Sequence, residues 1–114
     1  MPYNRGDVVL VLYPHTDLRT AKKRPALVVQ SDNVETGLPQ RIVAMITSNV
    51  GRTGSTRVHV RRDSPEGKAM GILTDSVIVA DNLATVVDRE IDKRIGRCRF
   101  MPSVDQALRT ILEL

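Results

Sequence analysis

Val8-Val9-Leu10-Val11-Leu12-Tyr13, preceded by the turn signal Gly6-Asp7 and stopped by Pro14, is the stretch on which the fold turns. An apolar run this short and this rich in β-branched residues is too brief for a helix and fits a strand buried on both faces. A second run of the kind, Ala26-Leu27-Val28-Val29-Gln30, begins after Pro25. A third, Arg41 to Ile46, ends at Thr47 and Ser48, and a fourth, Arg57-Val58-His59-Val60, alternates in the half-buried manner. Further strands are expected at Gly71 to Val79, at Thr85 to Val87 and around Ile95 to Phe100.

The connections carry their own signals. Pro14 to Arg24 has no apolar periodicity and holds Asp17, Arg19, Lys22, Lys23 and Arg24, so it reads as an exposed loop. Ser31-Asp32-Asn33 offers cap and turn chemistry for one helical turn. Asn49 to Thr56, with Gly51, Gly54 and Arg52, reads as a mobile link, and Asp63-Ser64-Pro65-Glu66-Gly67 as a turn. Only the end of the chain is helical in pattern. Pro102 suits a first helical position, and Val104, Ala107, Leu108, Ile111 and Leu112 form an amphipathic stripe expected to close one side of the core. Six or seven short strands, one terminal helix and no alternation of strand and helix make a mainly β domain, a small and strongly curved antiparallel sheet or barrel spanning residues 1–114.

Composition narrows the function. With 41% hydrophobic and 26% charged residues the chain is neither disordered nor a membrane protein. No apolar run approaches the ~20 residues of a spanning helix and no targeting signal is legible. Cys98 is the only cysteine, which excludes an intrachain disulfide and points to a reducing cytoplasm. Lone Cys98 and the distant pair His15 and His59 do not make a metal cluster, and no phosphate loop or dinucleotide fingerprint is present, so neither metal nor cofactor is expected. The net charge of +4 is uneven: residues 1–73 hold 11 Lys/Arg against 6 Asp/Glu. This suits an anionic partner, although a basic surface kept for solubility would look the same. Tyr3, Tyr13 and Phe100 are the only aromatics, so a grip on RNA would be electrostatic rather than built on stacking.

Arg24 stands at a strand entrance, Thr47 and Ser48 at a strand exit. If the second and third strands lie side by side and antiparallel, entrance adjoins exit and the two residues meet around one phosphate. The plain alternatives are a solvated arginine and strand-end hydroxyls that bond the backbone. His15 and His59 read as surface histidines, and Asp81 with Asn82 as a turn.

Arg5-Gly6-Asp7-Val8-Val9-Leu10-Val11, Lys23-Arg24-Pro25-Ala26-Leu27-Val28-Val29 and Ala44-Met45-Ile46-Thr47-Ser48, followed by Gly71 to Val79, Asp81-Asn82-Leu83-Ala84-Thr85-Val86 and Arg94-Ile95-Gly96, resemble in order and spacing the landmarks of the MazF/PemK toxins. The resemblance implies an SH3-like barrel of the CcdB/PemK kind with a C-terminal helix. It also implies a homodimer, a cognate antitoxin partner and metal-independent cleavage of single-stranded RNA that leaves a 2′,3′-cyclic phosphate and a 5′-hydroxyl. Its catalytic pair falls on Arg24 and Thr47. Arg19, Lys22, Lys23, Ser48, Arg52, Arg57, Asp81 and Asn82 are the candidate RNA contacts. Many members of the family carry Arg where this chain has Ala84, and some where it has Val79. Competing readings are a CcdB-like gyrase poison and a non-catalytic nucleic-acid-binding barrel.

Overall fold

The computed structural model describes residues 3–14 and 21–114. Six strands, β1 (Asp7–Pro14), β2 (Ala21–Val28), β3 (Gln40–Thr47), β4 (Arg57–Val60), β5 (Ser76–Val87) and β6 (Ile91–Arg97), form one sheet in the order β4-β5-β3-β2-β1-β6. Every pairing is antiparallel. The sheet is not closed by strand pairing: β4 and β6 are its edges. Two helices, α1 (Pro65–Met70) and α2 (Met101–Leu112), complete the domain. α1 leaves β4 and packs on β6, spanning from one edge strand toward the other, while α2 packs on β5 and β4.

The middle stretches of the central strands are buried on both faces; of the run expected to be buried, Val8, Val9 and Val11 are, Leu10 is half-buried and Leu12 is exposed. Val8, Leu27, Ala44, Ile46 and Ile78 belong to one cluster, together with Met70, Ile72 and Val104. Val9, Val11, Ala26, Val28, Val43 and Met45 belong to another. Neighbours in sequence alternate between the two clusters because successive side chains of a strand point to opposite faces. Each large aliphatic side chain so enclosed stabilises the fold by about 1.5–3 kcal/mol. Asp7, 1% exposed, is held by Arg97 at 2.9 Å and Arg94 at 3.5 Å, and its other oxygen accepts the Asn4 N–H at 2.8 Å. Cys98 is buried, and burial pushes its thiol pKa up.

Several expectations are corrected. β2 begins at Ala21, so Ala21 to Arg24 are strand and not loop. β1 runs to Pro14 and supplies ladder partners as far as Ala21, which overrides the polar composition. Residues 15–20 lie outside the described part. The expected turn at Asp63 to Gly67 is instead the start of α1. Ser64 caps it by accepting the Gly67 N–H at 3.0 Å, Pro65 opens it, and Gly71 ends it with φ 74° in the left-handed region. A helix of six residues is too short to show a period. Ser31 to Asn33 make a turn with no helix. The strands expected at Gly71 to Val79 and Thr85 to Val87 are one strand, β5, which starts only at Ser76. A bulge interrupts it: Met45 faces Val79 while Ala44 faces Leu83, so residues 80–82 stand outside the ladder. β6 is Ile91–Arg97 rather than Ile95 to Phe100.

α2 forms over the expected segment, but its stripe is core only in part. Val104 and Ala107 are buried, whereas Ile111 and Leu112 are 44% and 50% exposed because the last turn runs past the sheet. Val79 is buried and Ala84 packs against the second cluster, so at both positions this chain presents an apolar side chain to its core.

Candidate active site

β2 enters the sheet through Lys23, Arg24 and Pro25, and β3 leaves it through Ile46 and Thr47. The ladder between them pairs Ala26 with Met45, Leu27 with Ala44 and Val28 with Val43. Carried past Ala26, this register sets Pro25 beside Ile46 and Arg24 beside Thr47. The arginine and the threonine thus lie just beyond the same end of the ladder although far apart in the chain.

Both line a cavity of about 430 Å³. One part of its wall is apolar: Leu10, Pro25, Ile46, Ile72, Leu73 and Ile95. The polar part is cationic and hydroxylic, formed by Lys23, Arg24 and Lys93 with Thr47, Ser48, Thr74 and Ser76, and among the described residues it includes no carboxylate. Three cations and four hydroxyls on an apolar floor make a site for an anion attached to a less polar group, such as a phosphodiester beside its base.

Local hydrogen bonds set the donors. Thr47 Oγ1 accepts the Asn49 N–H at 3.1 Å, and Asn49 Oδ1 accepts the Gly51 N–H at 3.2 Å. These two turns fix the start of the connection after β3 and occupy an acceptor position of the hydroxyl, leaving its hydrogen to be donated. Ser76, buried, donates to the Thr74 carbonyl at 2.9 Å. Lys23 is engaged by Asp92 at 3.2 Å. Arg24 is exposed and, among the described residues, has no ion-pair partner.

Of the residues marked from sequence, Arg24, Thr47, Lys23 and Ser48 come together here. Arg52, Arg57, Asp81 and Asn82 do not line this cavity. Arg57 donates to Asp81 at 3.0 Å and to the Thr53 carbonyl at 2.9 Å, tying the link before β4 to the bulge in β5. Arg52 and Asn82 are exposed, as is His59 on β4. Lys22 is paired in the ladder with Tyr13, and Arg19 and His15 lie outside the described residues. Lys93, Thr74 and Ser76 were not singled out from sequence. Lys93 is a lone lysine of an edge strand, and nothing local to it reports that β6 returns to lie beside β1. No helix among the described residues is long and apolar enough to cross a membrane.

The chain is similar to known proteins over its whole length. A family model described as PemK-like, MazF-like toxin of type II toxin–antitoxin systems matches residues 4–112. The endoribonuclease EndoA of Bacillus subtilis (strain 168) is 32% identical over 117 residues, covering 100% of this chain and 97% of the relative. A solved mycobacterial endoribonuclease in complex with its cognate antitoxin superposes with a TM-score of 0.73 at 25% identity, covering 98% of this chain and 96% of that one. A MazE–MazF structure from Deinococcus radiodurans, 15% identical, shares the fold with a TM-score of 0.73 over 100% of this chain and 98% of its own.

Proposed function

The chain belongs to the PemK-like, MazF-like toxins of type II toxin–antitoxin systems, and from that premise we propose that Arg24 and Thr47 together act on one phosphodiester of single-stranded RNA bound in the cavity they share. The protein is an endoribonuclease, the toxin of a pair whose second member is a cognate antitoxin protein.

The chemistry follows from the donors. The ribose 2′-oxygen attacks the adjacent phosphorus, the bond from phosphorus to the 5′-oxygen breaks, the 2′-proton passes to solvent and the leaving oxygen takes a proton from water. The products are a 2′,3′-cyclic phosphate and a 5′-hydroxyl, and DNA, lacking the 2′-hydroxyl, is not cut. Charge accumulates on the non-bridging oxygens in the transition state. Arg24 offers two parallel N–H donors and a permanent positive charge to those oxygens. Thr47, its acceptor side occupied by the Asn49 N–H, donates to the same phosphate and holds it in line. Neither role needs a bound metal. Lys23 and Ser48 meet the same nucleotide, and Arg19, Lys22, Arg52, Arg57, Asp81 and Asn82 serve as outer contacts along the RNA. The toxin acts in the cytoplasm as a homodimer.

The observation that carries this reading is the convergence of Arg24 and Thr47, from two strands, on one cavity whose described lining is cationic and hydroxylic. It is tested by incubating the protein with mixed-sequence single-stranded RNA in excess chelator and analysing the ends formed. Cyclic phosphate ends from the wild type and none from Arg24→Ala are expected. RNA left intact by the wild type, with inhibition of supercoiling by gyrase, would refute it.

A further inference from the structure

Three cations among the described residues line the cavity, and their surroundings differ. Lys23 is neutralised by Asp92, whereas Arg24 and Lys93 have no ion-pair partner among the described residues. A β-bulge in β6 produces this division. Leu10 of β1 pairs with Lys93 and Val11 with Ile91, so Asp92 falls out of the ladder and reaches Lys23. The same bulge sets Lys93 opposite Leu10, which on its other side faces Pro25. Opposed residues share a face, so Lys93, Leu10 and Pro25 form a row across β6, β1 and β2; Arg24, opposite Val11, starts from the other face of β2 and lines the same cavity.

We propose that Lys93 is a second RNA-contacting cation of this site, holding the phosphate adjacent to the one gripped by Arg24. Two strand spacings, about 10 Å, separate the backbones of β6 and β2. The long side chains of a lysine and an arginine close that distance to consecutive phosphates of one strand. Between them lies the apolar wall of Leu10, Pro25 and Ile95, a surface for the base of the nucleotide whose ribose joins those phosphates. Lys93 is exposed, so its long side chain loses little by turning toward the RNA, and among the described residues no carboxylate pairs with it. The inference rests on the RNA-cleaving reading in its choice of ligand, and binding tests it apart from cleavage.

The probe is a short single-stranded RNA carrying a 2′-deoxy nucleotide at the cut site, which binds and is not cleaved, followed by fluorescence anisotropy across a salt series. Lys93→Ala is expected to weaken binding about tenfold at low salt. It should also flatten the slope of log affinity against log salt by about 0.7, the value for one phosphate contact on a single strand. Lys93→Arg should restore both. On the cleavable RNA, Lys93→Ala should raise KM with a smaller change in kcat, unlike Arg24→Ala, whose loss should fall on kcat, roughly a hundred- to a thousand-fold. An unchanged salt slope and affinity in Lys93→Ala overturns the proposal even where Arg24→Ala loses cleavage. A wild type that binds the probe and never cuts the parent RNA refutes the nuclease reading while leaving the binding comparison decisive for Lys93.

Discussion

Gly96→Ala probes the contact that joins the two edges of the sheet. Gly96 of β6 lies under α1, and a Cβ built there would fall on the carbonyls of Met70 and Ala69, closer than real Cβ atoms come. The obstacle is backbone, which cannot rotate away, so α1 must lift. Overpacking of this kind costs about 1–3 kcal/mol, and a rigid neighbour places Gly96→Ala at the upper end, about 2–3 kcal/mol. With an unfolding entropy of about 2.1 cal/mol/K per residue, a chain of 114 residues loses roughly 4 °C of Tm per kcal/mol, so a fall of about 8–12 °C is expected. Gly37→Ala supplies the control. Gly37 has φ +79° and no heavy atom within 4 Å of the added carbon, so it incurs only backbone strain, about 1 kcal/mol or ~4 °C. Thermal melting followed by circular dichroism measures both. Because α1 runs directly into Gly71 to Thr74, which line the cavity, RNA cleavage should fall in Gly96→Ala at temperatures where the protein is still folded. A Gly96→Ala protein that melts no lower than Gly37→Ala would refute the argument that α1 is pressed against β6.

Three further outcomes follow from the site and the core. Arg24→Ala and Thr47→Ala should each lower kcat by roughly a hundred- to a thousand-fold, and the double variant should lose far less than the product of the two, because both act on one phosphate; single-turnover cleavage of one labelled RNA measures this, and multiplicative losses would place them at separate points. Thr47→Ser should keep most of the rate and Thr47→Val should not, since valine matches the shape and lacks the hydrogen; equal rates for the two would remove the hydroxyl from the chemistry. Cys98 keeps its proton more tightly in the folded than in the unfolded chain, so alkaline pH draws the equilibrium toward unfolding. The stability lead of wild type over Cys98→Ala in urea should therefore be full below the ordinary thiol range and shrink as pH rises through it.

What the sequence discloses and what it hides divide along physical lines. Val8 to Val11 and Val43 to Ile46 are legible because a strand enclosed between two apolar clusters carries a continuous apolar run. The neighbourhood of Arg24 and Thr47 is legible for a related reason: two strands joined antiparallel bring the start of one beside the end of the other. Lys22, Lys23 and Arg24 belong to a strand that no propensity would choose, held by ladder bonds to β1 that composition does not report. Lys93 is hidden because its place depends on a long-range pairing and on a bulge at Asp92, neither of which has a local signature. The exposed last turn of α2 shows the converse, a regular apolar stripe that outruns the surface it was expected to cover.

β6 is an edge strand, and such strands invite pairing with other chains unless something discourages it. Lys93, Arg94 and Arg97 place three positive charges along its seven residues. Copies of the protein meeting edge to edge would bring like charges together, and a polyanion arriving at the same border would be drawn in. Resistance to aggregation and attraction of nucleic acid thus draw on one set of side chains, so neutralising them to weaken the toxin would also make it less soluble.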